Sequence, residues 1–179
     1  MHASYQSGIH RLNAKLEKLV NSLNGLSHQQ LNKRPEPGAW SILQVMQHVM
    51  LAEKLSVGYV RKKTSRPETL KKAGFAYFFR YAVLKIFLAL PFKFKAPAVV
   101  SEDKFPEESN FEKVVVEWKM VRSDLVKLLE GIHPSWQDKE IFKHAVAGRM
   151  TLDGMLTFFE DHFDRHLKQI ERTAKVVSA

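Results

Sequence analysis

The sequence predicts an all-α fold, an up-down four-helix bundle with a long helical insertion between its second and third helices. In four long segments, apolar residues recur at spacings of three and four, which is typical of helices that bury one face. Glycine (8) and proline (7) are scarce, which disfavours a fold of many short strands and turns. A length of 179 residues predicts a single domain, residues 1–179, and a hydrophobic fraction of 45% is enough for it to have its own core.

The first helix is predicted from about Ser4 to Asn24, where Gly25 provides a stop signal. After it, Ser27 and Gln30 have the spacing of a capping box, which predicts a short helical turn. The apolar stripe of the first helix consists of Ile9, Leu12, Leu16, Leu19, Val20 and Leu23.

Each of the other three long helices is predicted to begin at a hydroxyl residue that can cap free backbone N–H groups. Ser41 begins the second helix, Ser109 the third and Thr151 the last. In the first two cases a glutamine or glutamate three residues further on completes a capping box. Gly131 ends the third helix. No β-hairpin is predicted.

The insertion, residues 64–108, overlaps a strongly basic window. The formal net charge of the chain is +9. Residues 61–95 contain ten basic residues and one acid, Glu68, so this window accounts for the whole imbalance. A nucleic-acid-binding protein usually spreads its positive charge over a broader face, and no helix-turn-helix is predicted. We therefore expect no nucleic-acid partner.

The middle of the insertion, Phe75 to Phe92, is strongly apolar and is predicted to be helical. Arg80 and Lys85 interrupt it, whereas a membrane span needs about 20 predominantly apolar residues. Three roles stay open: an element that packs on the bundle, a lid that draws in an anionic substrate, or a contact with an anionic membrane surface. Its aromatic residues are Phe75, Tyr77, Phe78, Phe79, Tyr81, Phe87 and Phe92.

Two histidines of the last helix, His162 and His166, are the first candidates for chemistry. They are four residues apart, so both lie on one face of the helix. That face is otherwise apolar, and burying two imidazoles there costs free energy unless their lone pairs are satisfied. A divalent metal satisfies them well, because neutral imidazole is the commonest protein ligand of metals.

His48 is the predicted third ligand. It borders the apolar face of the second helix, and a bundle brings facing helices close enough for such side chains to converge. Three histidines would leave one coordination position open for water or substrate. The same pattern also fits histidines at the edge of a core, so spacing alone leaves a metal site and a structural role open.

Two segments carry a resemblance to a known family. The sequence PGAWS at residues 37–41 is followed by His48 and Glu53; FKHA at residues 142–145 is followed by Gly148, Thr151, Leu152, His162, His166, Leu167, Gln169 and Ile170. Together they resemble the second-helix and last-helix signatures of the DinB-like superfamily, also called the YfiT-like metal-dependent hydrolases.

The resemblance implies that His48, His162 and His166 match the three metal ligands of the family, with zinc, nickel or iron as the occupant. Relatives include thiol-dependent S-transferases and a maleylpyruvate isomerase that uses a low-molecular-weight thiol. The implied activity is hydrolysis or thiol transfer on a small electrophilic substrate. Relatives often dimerise, so a homodimer is also implied. Since the chain has no cysteine, a reacting sulfur would have to come from a cofactor thiol.

Two other function classes stay open. One is a non-catalytic helical bundle that holds a metal or ligand, and the other is a membrane-surface protein that works through its basic insertion. The absence of cysteine fits a reducing compartment, and the N-terminal residues lack the apolar core of a signal peptide. We therefore expect a cytoplasmic location.

Several residues near these motifs are assigned packing roles. Trp40 and Trp118 are interpreted as core residues, with substrate stacking as the alternative for both. For Arg122 we expect a stem packed on the core and a head in water, with an anion anchor near the metal as the alternative. Glu53 lies about 140° around the helix from His48. This angle predicts that its carboxylate lies on the surface or supports a metal ligand without binding the metal itself.

Overall fold

A computed structural model describes residues 1–89, 100–101, 104–145 and 147–179, without the side chains of residues 76, 78, 87 and 89. Its helices are α1 (Ala3–Leu23), α2 (His28–Asn32), α3 (Ile42–Thr64), α4 (Phe75–Ala89), α5 (Phe111–Glu130) and α6 (Leu152–Val177). Two short strands, β1 (Phe142–His144) and β2 (Gly148–Met150), precede α6, and single 3₁₀ turns lie at Pro67–Thr69 and Pro134–Trp136.

The bundle consists of α1, α3, α5 and α6, which confirms the predicted all-α four-helix bundle. α3 packs against α5 and α6, and α1 packs against the same two helices. Their apolar stripes meet in two large buried clusters, one of which extends under the two strands. Because the stripes face inward, the bundle brings α3 and α6 into contact along the histidine-bearing parts of both helices.

The helix starts agree with the capping signals, with one exception. Ser27 and Ser41 each form a complete capping box. The third long helix, however, begins after Asn110 and not after Ser109, because the Asn110 side chain accepts a hydrogen bond from the backbone N–H of Lys113 at 2.8 Å. The Ser109 hydroxyl accepts a hydrogen bond from the Gln47 amide instead, at 2.7 Å.

A β-hairpin joins α5 to α6, so the expectation of no hairpin was wrong. β1 and β2 pair antiparallel, with Phe142 opposite Met150 and both side chains buried. Each strand has only three residues, too few for an alternating pattern to stand out. Gly148, the first residue of β2, has a left-handed backbone with a φ of +74°, which favours glycine.

A buried ion pair links α3 to α5, which corrects the expectations for Arg122 and Glu53. The two residues are 3% and 1% exposed, and the Arg122 guanidinium donates to both oxygens of the Glu53 carboxylate, at 2.6 and 2.7 Å. The Trp118 indole also donates to Glu53, at 3.0 Å. Arg122 therefore has its head in the core, where it pairs with the Glu53 carboxylate.

The helix predicted in the insertion begins at Phe75 as expected, and its predicted end, Phe92, lies outside the described residues. One side of α4 packs against α6 and β2. The Tyr77 hydroxyl lies 3.1 Å from Oγ1 of Thr151. Gly154 permits this approach, because a Cβ there would lie 2.5 Å from the Tyr77 hydroxyl. Within the described ranges, no helix combines the length and apolarity that crossing a membrane requires.

Candidate metal centre

Three histidines from two helices converge at the contact between α3 and α6. The ring centroids of His162 and His166 lie 4.5 Å apart, and the ring of His48 lies 5.3 Å from the first and 4.8 Å from the second. One ring nitrogen from each residue lies within 4.8 Å of the others. The structure thus brings together the three residues that the sequence singles out.

Hydrogen bonds on the far side of two rings orient their lone pairs. His48 Nδ1 lies 2.9 Å from the carbonyl oxygen of Val100, and His166 Nδ1 lies 3.0 Å from the side-chain oxygen of Gln169. Both oxygens accept, so each Nδ1 carries the hydrogen and each Nε2 keeps its lone pair. Metal-binding histidines are held in this way. The donor set therefore fits a divalent metal, on the evidence of its chemistry and its hydrogen bonds.

Burial keeps the three imidazoles neutral. Desolvation lowers the pKa of His48, and it lowers the pKa of His166 to about 3, with His48 adding to the effect. The pKa of His162 falls well below its usual 6.5, mainly through desolvation and then through the neighbouring histidines. A neutral imidazole is the form that binds a metal, so the cluster needs no deprotonation at neutral pH.

These pKa shifts predict that the metal-free protein loses stability in mild acid. The unfolded chain takes up protons near pH 6.5, whereas folded His166 does so only near 3. The contribution of each such histidine to the free energy of unfolding is therefore fully present above pH 6.5. It falls as the pH drops toward the pKa of the folded protein, by up to about 1.4 kcal/mol per pH unit for each histidine. Urea denaturation of metal-free protein between pH ~7.5 and ~5.5 measures this slope.

The variant His166→Gln separates this effect from the general acid sensitivity of carboxylates, because it removes one of the titrating groups. We expect a shallower loss of stability in the variant. An unchanged slope would contradict the assignment of the pH dependence to the cluster.

Aromatic rings surround the three histidines. The Trp40 ring lies 5.0 Å from that of His48, and Phe105 contacts both, at 6.0 and 6.4 Å. On the other side, Phe158 stacks on His162 at 5.2 Å. Trp118 lies in the core as expected, whereas Trp40 is only partly buried and also contacts a site histidine.

His144, like Val100, Phe105 and Phe158, lies near the site at a position that the sequence did not predict. It lies on β1, its ring contacts Phe158 at 4.5 Å, and its Nδ1 accepts the backbone N–H of Ala147 at 3.0 Å. Burial lowers its pKa to about 4, and its charge interaction in turn lowers the pKa of His162. The FKHA motif was the signal available in the sequence. Without knowledge of the hairpin, however, the motif does not show that His144 lies next to the three histidines.

The variant His144→Ala is expected to keep most of the metal affinity, because His144 lies outside the cluster of three converging nitrogens. Metal analysis of the purified variant beside wild-type protein measures this. A loss as large as that caused by His162→Ala would mean that His144 is itself a ligand.

Comparison with known proteins places these features in a family. The model of the DinB superfamily matches residues 10–170. The solved crystal structure of TT2238, described as a four-helix bundle protein, is 19% identical and superimposes with a TM-score of 0.58, covering 94% of this chain and 98% of that one. At this identity the likeness concerns the fold alone. No curated protein matches the chain significantly.

Proposed function

This chain belongs to the DinB superfamily, and on that premise we propose that it is a metal-dependent enzyme in which His48, His162 and His166 hold one divalent cation. The observation that carries the proposal is the convergence of three neutral imidazoles, one nitrogen from each within 4.8 Å of the others. Nitrogen donors of this kind suit zinc, nickel or iron. Three protein ligands leave a position for a small molecule.

The proposed reaction is hydrolysis of a small electrophile or transfer of a thiol to it. When bound, the metal would supply Lewis acidity, lowering the pKa of a water or thiol at the open position. His48 and His166 keep their lone pairs directed by donating Nδ1–H to Val100 and Gln169. With no cysteine in the chain, any transferred sulfur would come from a low-molecular-weight thiol.

The rings around the cluster support a small and partly apolar substrate. Trp40, Phe105 and Phe158 offer flat apolar surfaces beside the histidines. An apolar surrounding of this kind strengthens electrostatic interactions at the reacting atoms. The substrate class proposed here is therefore a small molecule, and no side chain outside the three histidines is assigned to the chemistry.

Titration of metal-free protein with Co²⁺, followed by its visible absorption, tests both the site and its open position. We expect saturation at about one equivalent, as three convergent imidazoles hold one ion. Addition of azide or 2-mercaptoethanol should then change the spectrum, because each can occupy the remaining position. A spectrum that responds to neither ligand would contradict the enzyme and would identify a closed, structural metal site.

A further inference from the structure

α4 carries a row of large apolar side chains on the side that faces away from the bundle. Phe75, Phe79, Val83 and Ile86 are 90%, 71%, 50% and 63% exposed. Their spacings of four, four and three place them along one side of a helix. We call these four residues the outer stripe of α4.

The outer stripe is not a core face that has failed to pack. Tyr77 and Leu84, on the opposite side of α4, are buried and belong to the core cluster that includes α6. Tyr81 and Leu88 pack against the same cluster. α4 therefore has two apolar sides, and the bundle uses only one of them. Large exposed apolar rows of this kind mark contact surfaces.

Exposed cations are concentrated at the end of α3 and in the segment that leads into α4. Arg61, Lys62 and Lys71 are exposed, and none of the three has an ion-pair partner among the described residues. Lys63 donates to the backbone oxygen of Thr69 at 3.1 Å, which ties the basic end of α3 to the segment leading into α4. Other exposed cations here are Arg66, Lys72 and Lys85, and the described part of residues 61–89 contains one acid, Glu68.

We propose that the outer stripe docks on the surface of an anionic lipid bilayer, with the neighbouring cations on the lipid headgroups. An interfacial helix places its apolar side at the boundary of the acyl chains while basic residues meet anionic lipid. The helix would lie along the surface and not across it. Fifteen residues span about 22 Å at about 1.5 Å per residue, short of the roughly 30 Å hydrocarbon layer.

Charge favours a membrane over a second copy of the chain. A two-fold dimer through the outer stripe would place the same surface of both copies face to face. Such a dimer would bring together two copies of the basic segment that precedes α4, and their like charges would oppose the contact. An anionic bilayer supplies the opposite charge over the whole contact.

Flotation with vesicles of phosphatidylcholine alone, or with added phosphatidylserine, tests the proposal. We expect binding to the anionic vesicles only, weakened by salt. The double variant Phe75→Ser with Phe79→Ser should bind at least about tenfold more weakly, since it removes two aromatic rings from the interface. The matched control is Val116→Ser with Met120→Ser, which changes two side chains of α5 that are 57% and 64% exposed.

A second set of variants tests the cations. Changing Arg61, Lys62 and Lys71 to glutamine should weaken binding roughly 100-fold, since each cation near the surface contributes about one factor of five. The control changes Lys18, Lys113 and Lys119, which are also exposed but lie on α1 and α5.

Three results would overturn the proposal: no binding to anionic vesicles, equal loss in the control variants, or a stable dimer that Phe79→Ser dissociates. The last result would assign the outer stripe to a second copy. All substituted side chains are exposed, so unchanged circular dichroism and metal content are expected and serve as the check on folding.

Discussion

His162→Ala is expected to abolish tight binding of a divalent cation, and His48→Ala and His166→Ala are expected to do the same. Removing a hydrogen-bond partner behind a metal ligand costs about 10–100-fold in affinity, and the loss of one of only three ligands should exceed that range. Isothermal titration of metal-free protein with Zn²⁺ measures the change. The bundle should survive, because the rest of the α6 stripe is apolar and buried.

His10→Ala is the matched control, since His10 is exposed on α1 and lies outside the cluster. It should bind the metal as the wild-type protein does. Wild-type metal affinity in all three cluster variants would show that the convergence of these rings has another purpose.

Glu53→Ala is expected to destabilise the fold by about 3–5 kcal/mol, because it leaves the buried Arg122 guanidinium without its carboxylate. The same substitution removes the acceptor of the Trp118 indole. Nη1 of Arg122 already lacks a hydrogen-bond partner among the described residues, so the guanidinium has little compensation left. Urea denaturation at neutral pH measures the loss.

Two further variants show whether burial is the cause. Lys54→Ala breaks an ion pair with Glu117 between the same two helices, but both side chains are about half exposed, so the cost should stay below about 1 kcal/mol. The double variant Glu53→Leu with Arg122→Met replaces the buried pair by apolar groups and should be more stable than Glu53→Ala alone. If Glu53→Ala and Lys54→Ala cost the same, burial of the pair would not explain its contribution.

Most of the fold and of the candidate site could be predicted from helical periodicity in the sequence. The long stripes of α1, α3, α5 and α6 place each helix without reference to its neighbours, so the sequence alone was enough for them. His162 and His166 could be recognised because they interrupt an apolar face, where burying a polar ring costs free energy unless it has a partner. His48 required one more assumption, that α3 and α6 meet, which the bundle supplied.

The errors arose where a partner distant in sequence decides the outcome. Arg122 lies on the edge of a stripe, a position that fits a solvated head or a buried one, and only Glu53 on another helix selects the second. Ser109 and Asn110 can both cap α5. The Ser109 hydroxyl accepts a hydrogen bond from the Gln47 side chain, and Asn110 caps the helix. The hairpin carried too little pattern of its own to be seen.

The two oriented histidines differ in what genetics can reveal about them. Gln169 orients His166 with its side chain, so a saturation scan would mark position 169 as sensitive. Val100 orients His48 with its main-chain carbonyl, which every amino acid possesses. A substitution at position 100 keeps that carbonyl and acts instead on the packing of the buried Val100 side chain, whereas a change in the length or path of the backbone there would uncouple the carbonyl from the histidine. In diverging sequences, the partner of His166 would therefore be recognised by the amino acid at position 169. The partner of His48 would be recognised only by the spacing of the chain around position 100.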